Sequence, residues 1–376
     1  MSRFLLFLIF LIYWLIDWSV LVSATILKAN DRGKFRIVQF TDLHYDDTHD
    51  SDNQRIQSDI LDWEQPDLVV FTGDMIMYPN NTPVDGWMRS KWEKFVEPMV
   101  NRGIPWAITL GNHDDDADLG FAEVAALDSS YQLSLTQTGP VNIHGFTNYY
   151  FPIYDNNGTK ELVRLWVFDS GDANCLEVKG YSCVYPDQVD WYLRVSKGLP
   201  NIPELAFVHI PLPEFMDVWN VEPCHGDLKD GGICCSSVNT GLYSAFKMVN
   251  RVKYVGVGHD HNNDFWGDYN GIVLSYGRKT GYGGYGPKMK NGARVIEVSF
   301  EPFKIVTWIR EEDGNKVVSE GRHSPGSNQQ MICCANKGHD WWSKEKIVMV
   351  VFLSLLSFVM LVLVIVVMVM IFRFCC

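Results

Sequence analysis

The stretch Ile108-Thr109-Leu110-Gly111-Asn112-His113-Asp114 decides the fold, because an apolar run stops at a glycine and three polar residues follow at once. A buried strand whose carboxyl end meets a ligand has this pattern. Four other apolar runs end in the same way, at Asp42-Leu43-His44, Gly73-Asp74, His209 and Gly258-His259-Asp260-His261. Five strands that each end in Asp, Asn or His predict one polar site at the edge of a sheet.

The rest of the chain supplies the elements between these strand ends. Apolar runs at 35–40, 67–72 and 104–110 alternate with helical spacing over 52–63 and 87–100, which predicts a βαβαβ unit with a parallel core. Later runs predict further strands at 146–151, 162–168, 204–210, 253–257, 272–275, 294–300 and 304–309, and helices at 186–195 and 241–249. We therefore expect one α/β (α+β) domain over residues 25–310.

Both termini predict a route through the secretory pathway. Residues 1–24 have a basic start, an apolar centre and a small-residue exit, which is typical of a signal peptide; an uncleaved anchor is the alternative. Residues 347–372 carry no charge and exceed the about 20 residues that a membrane helix needs. We expect a single-pass type I protein with a luminal stalk at 311–346 and a cytosolic tail at 373–376, at the cell surface or in an endosomal or lysosomal membrane. A removed GPI signal is the competing interpretation.

Cysteines and glycosylation sequons agree with that route. Cys175 and Cys183 are spaced for a local loop disulfide, and disulfides persist in the lumen. Asn80 and Asn157 lie in Asn-X-Thr sequons.

The formal charge of −13 argues against nucleic-acid binding, since a polyanion is repelled. The expected partners are a small phosphorylated substrate and the membrane.

The polar strand ends form a mixed oxygen and nitrogen ligand set without thiolate. Such a set suits zinc, iron or manganese. The candidates are Asp42, His44, Asp74, Asn112, His209, His259 and His261. Seven ligands are too many for one open ion and fit two ions that share a carboxylate, a pair that holds a bridging hydroxide and both oxygens of an in-line phosphoryl displacement.

Each of these residues has an ordinary explanation when taken alone. His44 or His209 on an apolar strand is more often a satisfied core histidine, and Asp42 alone fits a helix cap. Likewise, the 258–261 stretch alone fits a solvated turn. Taken together, the five motifs favour a metal site over these explanations, because in each of them the polar residues follow directly on a predicted strand.

With these motifs the chain resembles the calcineurin-like metallophosphoesterases, and within them the small plant and fungal branch that is purple acid phosphatase-like. The resemblance implies a four-layer αββα sandwich. It implies that Asp42, His44 and His261 hold one metal, that Asn112, His209 and His259 hold the other, and that Asp74 bridges both. It also implies that His113 stabilises the transition state or protonates the leaving group, oriented by Asp114.

One position departs from that branch. Purple acid phosphatases carry a metal-ligating tyrosine three residues after the Gly-Asp aspartate, and here Met77 stands there while Tyr78 follows. The resemblance therefore does not extend to an iron(III)–tyrosinate centre.

The function expected from the motifs and the resemblance is hydrolysis of phosphomonoesters by a membrane-anchored dinuclear metallophosphatase. A phosphodiesterase of the same fold, of the sphingomyelinase-like or nucleotide type, is one alternative, and a catalytically silent surface receptor is another. His49 either approaches the metals or lies in an acidic, solvated loop. The cysteine-containing insert at 219–239 is either a loop that gates substrate entry or a disulfide-tied surface loop without catalytic consequence. The glycine-rich run at 281–286 is interpreted as a mobile loop that touches substrate.

Overall fold

Two β-sheets carry the five motifs at their edges. The computed structural model describes residues 26–79, 83–221, 223–286, 288–319 and 321. The strands are β1 (Lys34–Phe40), β2 (Leu68–Thr72), β3 (Trp106–Thr109), β4 (Tyr149–Tyr154), β5 (Glu161–Val167), β6 (Ala173–Cys175), β7 (Val178–Tyr181), β8 (Glu204–Phe207), β9 (Cys224–His225), β10 (Val252–Val257), β11 (Trp266–Tyr269), β12 (Ile272–Tyr276), β13 (Gly292–Phe300), β14 (Phe303–Glu311) and β15 (Lys316–Val317). The helices are α1 (Asp50–Glu64), α2 (Trp87–Val100), α3 (Phe121–Ser129), α4 (Pro186–Lys197), α5 (Glu214–Val221) and α6 (Leu242–Val249).

The two large sheets have parallel centres. The first has the strand order β15-β14-β13-β1-β2-β3, and the second has the order β4-β5-β8-β10-β12-β11-β9. β1, β2 and β3 run parallel, as do β5, β8, β10 and β12. β1, β2 and β3 therefore end at one edge of the first sheet, and β8 and β10 end together in the second.

Three apolar clusters stack these elements into layers. Phe35 of β1, Val70 of β2, Phe207 of β8 and Tyr254 of β10 belong to one buried cluster that joins the two sheets. A second cluster packs the other face of the first sheet against α1, α2 and α3. A third packs the second sheet against α4, α5 and α6. The order is helices, sheet, sheet, helices, as the resemblance implied.

The predicted helices are present, and several further elements were missed. The helices predicted at 52–63 and 87–100 are α1 and α2. The sequence did not predict α3, α5 or the β6–β7 hairpin. The domain also continues past the predicted boundary at 310, because β14 runs to Glu311 and β15 adds an edge strand where a stalk was expected.

Predictions about the termini fall largely outside the described residues. The signal peptide at 1–24, the membrane helix at 347–372, the cytosolic tail and Asn80 all lie there. Within the described residues, no helix is long and apolar enough to cross a membrane. The disulfide Cys175–Cys183 is present, as predicted, and it closes the β6–β7 hairpin. Cys234 and Cys235 are also disulfide-bonded, while Cys224 is a buried free thiol.

Asp128 of α3 provides a test of the helix layer on the first sheet. Its buried carboxylate accepts hydrogen bonds from Trp92 Nε1 at 2.9 Å, Trp106 Nε1 at 3.0 Å and Ser134 Oγ at 2.7 Å. Asp128→Ala leaves two indole N–H groups buried without an acceptor, so we expect the free energy of unfolding to fall by about 3 kcal/mol in urea denaturation. Asp59→Ala, at a half-exposed position of α1 where the carboxylate lies 3.9 Å from Arg55, is the control, and an equal effect of the two changes would contradict this account.

Candidate metal centre

The seven predicted ligands meet at the edge where the parallel strands end. Asp42 and His44 follow β1, Asp74 follows β2, and Asn112 follows β3, while the three remaining histidines follow β8 and β10. All seven are buried, with no residue more than 8% exposed. The structure thus brings the seven side chains together at one place.

The loops that carry these ligands have unusual backbone conformations. Asp42, His44, Asp74 and His259 have φ values of 52°, 50°, 54° and 77°, in the left-handed region that non-glycine residues rarely adopt. A Cβ atom at Gly111 would lie 2.2 Å from Asp74 Oδ1, so only glycine permits this approach of the two loops. Such strain concentrates at functional sites, where the surrounding structure holds it in place.

One group of four side chains lies on the β1 side. Ligand atoms of Asp42, His44, Asp74 and His261 all lie within 4.8 Å of one another. His44 Nε2 is 3.0 Å from His261 Nε2 and 3.7 Å from Asp74 Oδ2. His261 Nε2 is 3.6 Å from Asp42 Oδ1. Two imidazole nitrogens and two carboxylates thus surround one point.

A second group lies on the β8 side and shares Asp74. Ligand atoms of Asp74, His209 and His259 lie within the same limit of 4.8 Å. His209 Nε2 is 3.4 Å from Asp74 Oδ2, 3.1 Å from Asn112 Oδ1 and 3.2 Å from His259 Nδ1. Because Asp74 belongs to both groups, it is placed to bridge two ions.

Main-chain carbonyls set the orientation of two ligand rings. His209 Nδ1 lies 2.7 Å from the carbonyl oxygen of Thr72, and His261 Nδ1 lies 3.3 Å from that of Tyr285. A carbonyl accepts, so each Nδ1 carries a proton, and each Nε2 is the ring nitrogen that can bind a metal once it is deprotonated. These contacts assign the tautomers from the hydrogen-bond partners.

The charges of the centre fit two bound cations. Burial, which the charge of His209 partly offsets, raises the pKa of Asp42 to about 6. Burial lowers the pKa of His209, but the Asp74 carboxylate outweighs it and raises that pKa to about 10. Burial lowers the pKa of both His44 and His261, and their neutral Nε2 atoms face each other. Buried carboxylates are costly alone, and a bound metal ion offsets that cost.

His113 lies beside the centre and is held by Asp116. Its main-chain N–H donates to Asp74 Oδ1 at 3.0 Å, and its ring is 5.4 Å from that of His44. Its Nδ1 is 2.8 Å from Asp116 Oδ2, and 26% of the side chain is exposed. Burial lowers the pKa of His113, but Asp74 and Asp116 outweigh it and raise it to about 9. Asp116, rather than Asp114, orients the imidazole.

Asp114 has a different role from the one that the resemblance implied. Its fully buried carboxylate accepts hydrogen bonds from the main-chain N–H groups of four residues. They are Gly111, Asp74, Met75 and Ile76, at 2.8, 3.0, 2.8 and 3.2 Å. Burial and the neighbouring Asp74 raise the pKa of Asp114 to about 8. Asp114 therefore ties the loop after β2 to the loop after β3 and positions the ligands on both.

Three further residues at the centre were not predicted. Lys279 is buried, and its Nζ donates to the main-chain oxygen of Asp42 at 2.9 Å. Tyr181 contacts His259 edge-on at 4.2 Å, and Tyr285 stacks on His261 at 3.8 Å. The glycine-rich run was the one sequence signal for Tyr285. Nothing in the sequence linked Lys279 or Tyr181 to the motifs, because both contact residues that are far away along the chain.

Other residues considered from the sequence lie outside the two ligand groups. His49 Nδ1 pairs with Asp46 at 2.8 Å, and His225 stacks on Trp266 at 4.1 Å. Tyr78 packs edge-on against Trp87 at 4.7 Å. Among the described residues, neither ligand group contains any of them. The acidic-loop interpretation of His49 is thus the one that the structure favours.

The sequence of residues 35–263 matches the family described as calcineurin-like phosphoesterase. The chain belongs to this family. "Probable inactive purple acid phosphatase 28" of Arabidopsis thaliana is 31% identical over 76% of this chain and 83% of its own length. "Phosphatase DCR2" of Saccharomyces cerevisiae is 30% identical over 76% of this chain and 55% of its own length. The resemblance to the purple acid phosphatase-like branch is confirmed.

Solved structures share the fold at low sequence identity. A dimetal phosphatase from Danio rerio has 14% identity and a TM-score of 0.51, covering 77% of this chain and 99% of its own. The Plasmodium protein described as "GAP50 the anchor in the inner membrane complex" has 13% identity and a TM-score of 0.52, over 79% and 90%. Both similarities concern the mixed α/β metallophosphoesterase fold.

Removal of Asn112 tests the division into two ligand groups. Asn112 Oδ1 contacts the second group, and the first group does not include Asn112. Asn112→Leu should therefore lower the bound metal from about two ions to about one per chain, measured by elemental analysis after dialysis. Asn101→Leu, at the exposed end of α2, is the control and should keep both ions. Loss of both ions in Asn112→Leu would contradict two separable sites.

Proposed function

We propose that this metallophosphoesterase is a dinuclear-metal phosphatase that hydrolyses phosphomonoesters. The observation that carries the proposal is the pair of buried ligand groups that share Asp74, with His113 beside them. Asp42, His44 and His261 would hold one ion, Asn112, His209 and His259 the other, and Asp74 both. Zinc, iron or manganese suits this donor set. Two such ions, when bound, orient the phosphate, lower the pKa of water and offset the charge that develops in phosphoryl transfer.

The protein itself supplies orientation and a proton. Asp114 holds the two ligand loops in register, and Thr72 fixes the ring of His209. Asp116 accepts from Nδ1–H of His113, which leaves Nε2–H as the proton to give to the leaving-group oxygen. Removing one proton donor from such a reaction typically costs 10²–10⁴-fold in rate.

A catalytically silent protein is the second candidate. Its support is the word "inactive" in the names of three Arabidopsis relatives that are 30–31% identical to this chain. Against it stands the presence of all seven ligands, buried together, with the Nδ1 atoms of His209 and His261 held by main-chain carbonyls. A decayed site has no physical reason to keep three strained, buried histidine and aspartate loops.

The proposal includes a membrane-anchored enzyme with a luminal or extracellular catalytic domain. Its support is the apolar segments at 1–24 and 347–372 in the sequence, together with the disulfide Cys175–Cys183. Asn157, in its sequon, is exposed at the β4–β5 turn and is accessible to glycosylation. The cell surface and the endosomal or lysosomal membrane are the proposed locations.

Product analysis on 4-nitrophenyl phosphate and bis(4-nitrophenyl) phosphate tests the reaction class. A monoesterase should have a higher kcat/KM on the monoester, since its proton donor and metals act on a terminal phosphoryl group. The control is the same assay after chelation, which should abolish turnover of both compounds. A higher kcat/KM on the diester would show that the protein is a phosphodiesterase. Absence of turnover by the metal-loaded protein would favour the catalytically silent protein.

His113→Ala tests the proton donor separately from metal binding. We expect kcat on benzyl phosphate, which has a poor leaving group, to fall by about 10²–10³-fold, and kcat on 4-nitrophenyl phosphate to fall far less. His144→Ala is the matched control, because His144 Nδ1 pairs with Asp187 at 2.7 Å on an exposed surface. An equal fall on both substrates would show that His113 does not donate the proton.

A further inference from the structure

Two tyrosines flank the metal centre without belonging to its ligand groups. The ring of Tyr285 stacks on the ring of His261, with centroids 3.8 Å apart and planes inclined by 11°. The ring of Tyr181 meets the ring of His259 edge-on, with centroids 4.2 Å apart. His261 and His259 are assigned to different ions, so each ion has one tyrosine next to one of its histidines.

Tyr285 is held firmly although half of it is exposed. Its hydroxyl donates to Asp230 Oδ2 at 3.1 Å and accepts from the main-chain N–H of His261 at 3.0 Å. Its own main-chain oxygen is the partner of His261 Nδ1. The residue is nevertheless 53% exposed. His261 covers one face of the ring and the hydroxyl is hydrogen-bonded, so Tyr285 is an exposed aromatic residue that is fixed beside a metal ligand.

The glycine-rich run brings Tyr285 to this position. A Cβ atom at Gly283 would lie 2.0 Å from the main-chain oxygen of His44, so only glycine allows the run to lie on the loop after β1. The main-chain N–H of Tyr282 donates to Asn53 Oδ1 at 2.8 Å and fixes the start of the run on α1. The run is therefore built onto the first ligand group.

The β6–β7 hairpin brings Tyr181 to the other side. The disulfide Cys175–Cys183 closes this hairpin, and the main-chain N–H of Ser237 donates to the oxygen of Tyr181 at 3.0 Å. Tyr181 is partly exposed, like Tyr285. Two segments that lie far apart in the sequence thus place aromatic rings next to the centre.

We infer that Tyr285, together with Tyr181, forms the subsite for the leaving group and selects phosphate monoesters whose alcohol carries an aromatic ring. Aromatic rings attract one another in stacked and edge-to-face contacts beyond the gain from burying their area. Asp230 at the hydroxyl end of Tyr285 disfavours a leaving group with further negative charge. This inference rests on the proposed phosphatase activity and adds a substrate class to it.

Benzyl phosphate and cyclohexylmethyl phosphate test the subsite. Both release a primary alcohol of similar acidity, so the ratio of their kcat/KM values reports recognition of the ring and not leaving-group chemistry. We expect the wild type to prefer benzyl phosphate by roughly three- to tenfold, mainly through KM. Tyr285→Leu should bring the ratio close to one, whereas Tyr285→Phe, which keeps the ring, should retain most of the preference.

Tyr282→Leu is the matched control. It makes the same substitution in the same run, but its hydroxyl contacts Glu312 and Arg55 rather than a metal ligand, so the preference should persist. If Tyr285→Leu does not fold, inhibition of the wild type by benzylphosphonate and cyclohexylmethylphosphonate gives the same comparison, with tighter binding of the benzyl compound expected.

The outcomes separate the two proposals. A wild type that turns over both esters equally, or a Tyr285→Leu variant that keeps the preference, would overturn the aromatic subsite and leave the phosphatase proposal standing. Equal inhibition by the two phosphonates would do the same. A metal-loaded wild type that hydrolyses neither ester would overturn the phosphatase proposal itself.

Discussion

The carboxylate of Asp74 lies 3.4 Å from His209 Nε2 and 3.7 Å from His44 Nε2, in a centre where every ligand is buried. Both ligand groups share Asp74, so the geometry of each group depends on the position of the loop after β2. Charged groups at such depth need opposite charge close by, because burial removes them from water. The two ligand groups meet this need if each holds a cation, which makes the shared carboxylate the electrostatic link between them.

Much of the surrounding structure serves to keep Asp74 in place. Asp114 receives main-chain hydrogen bonds from both loops, and Gly111 permits a contact that any side chain would prevent. The parallel strands of both sheets end at this one edge, and three apolar clusters hold the sheets and helices together. Strain in the left-handed ligand loops is therefore balanced by packing elsewhere in the domain.

The sequence predicted the ligands better than it predicted their surroundings, for a physical reason. A ligand such as Asn112 or His209 follows directly on an apolar strand, so a local pattern reveals it. Tyr181 and Lys279 reach the centre from segments far along the chain, and no local pattern records such contacts. Asp116 was not predicted, because Asp114 is nearer to His113 in the sequence. In the structure Asp114 accepts from main-chain N–H groups, and Asp116 contacts the ring of His113. The long helices α1 and α2 show their apolar spacing over 15 and 14 residues and were predicted, whereas α5 spans only eight residues and the strands of the β6–β7 hairpin three and four.

The central claim is that one shared carboxylate holds two catalytic metal ions. The most direct measurement is elemental analysis of the purified protein and of Asp74→Ala, alongside hydrolysis of a phosphate monoester by both. The account predicts about two ions per chain and activity in the wild type, and loss of both in a variant that stays folded. A folded wild type that binds no stoichiometric metal, or an Asp74→Ala variant that keeps both ions and full activity, would contradict it.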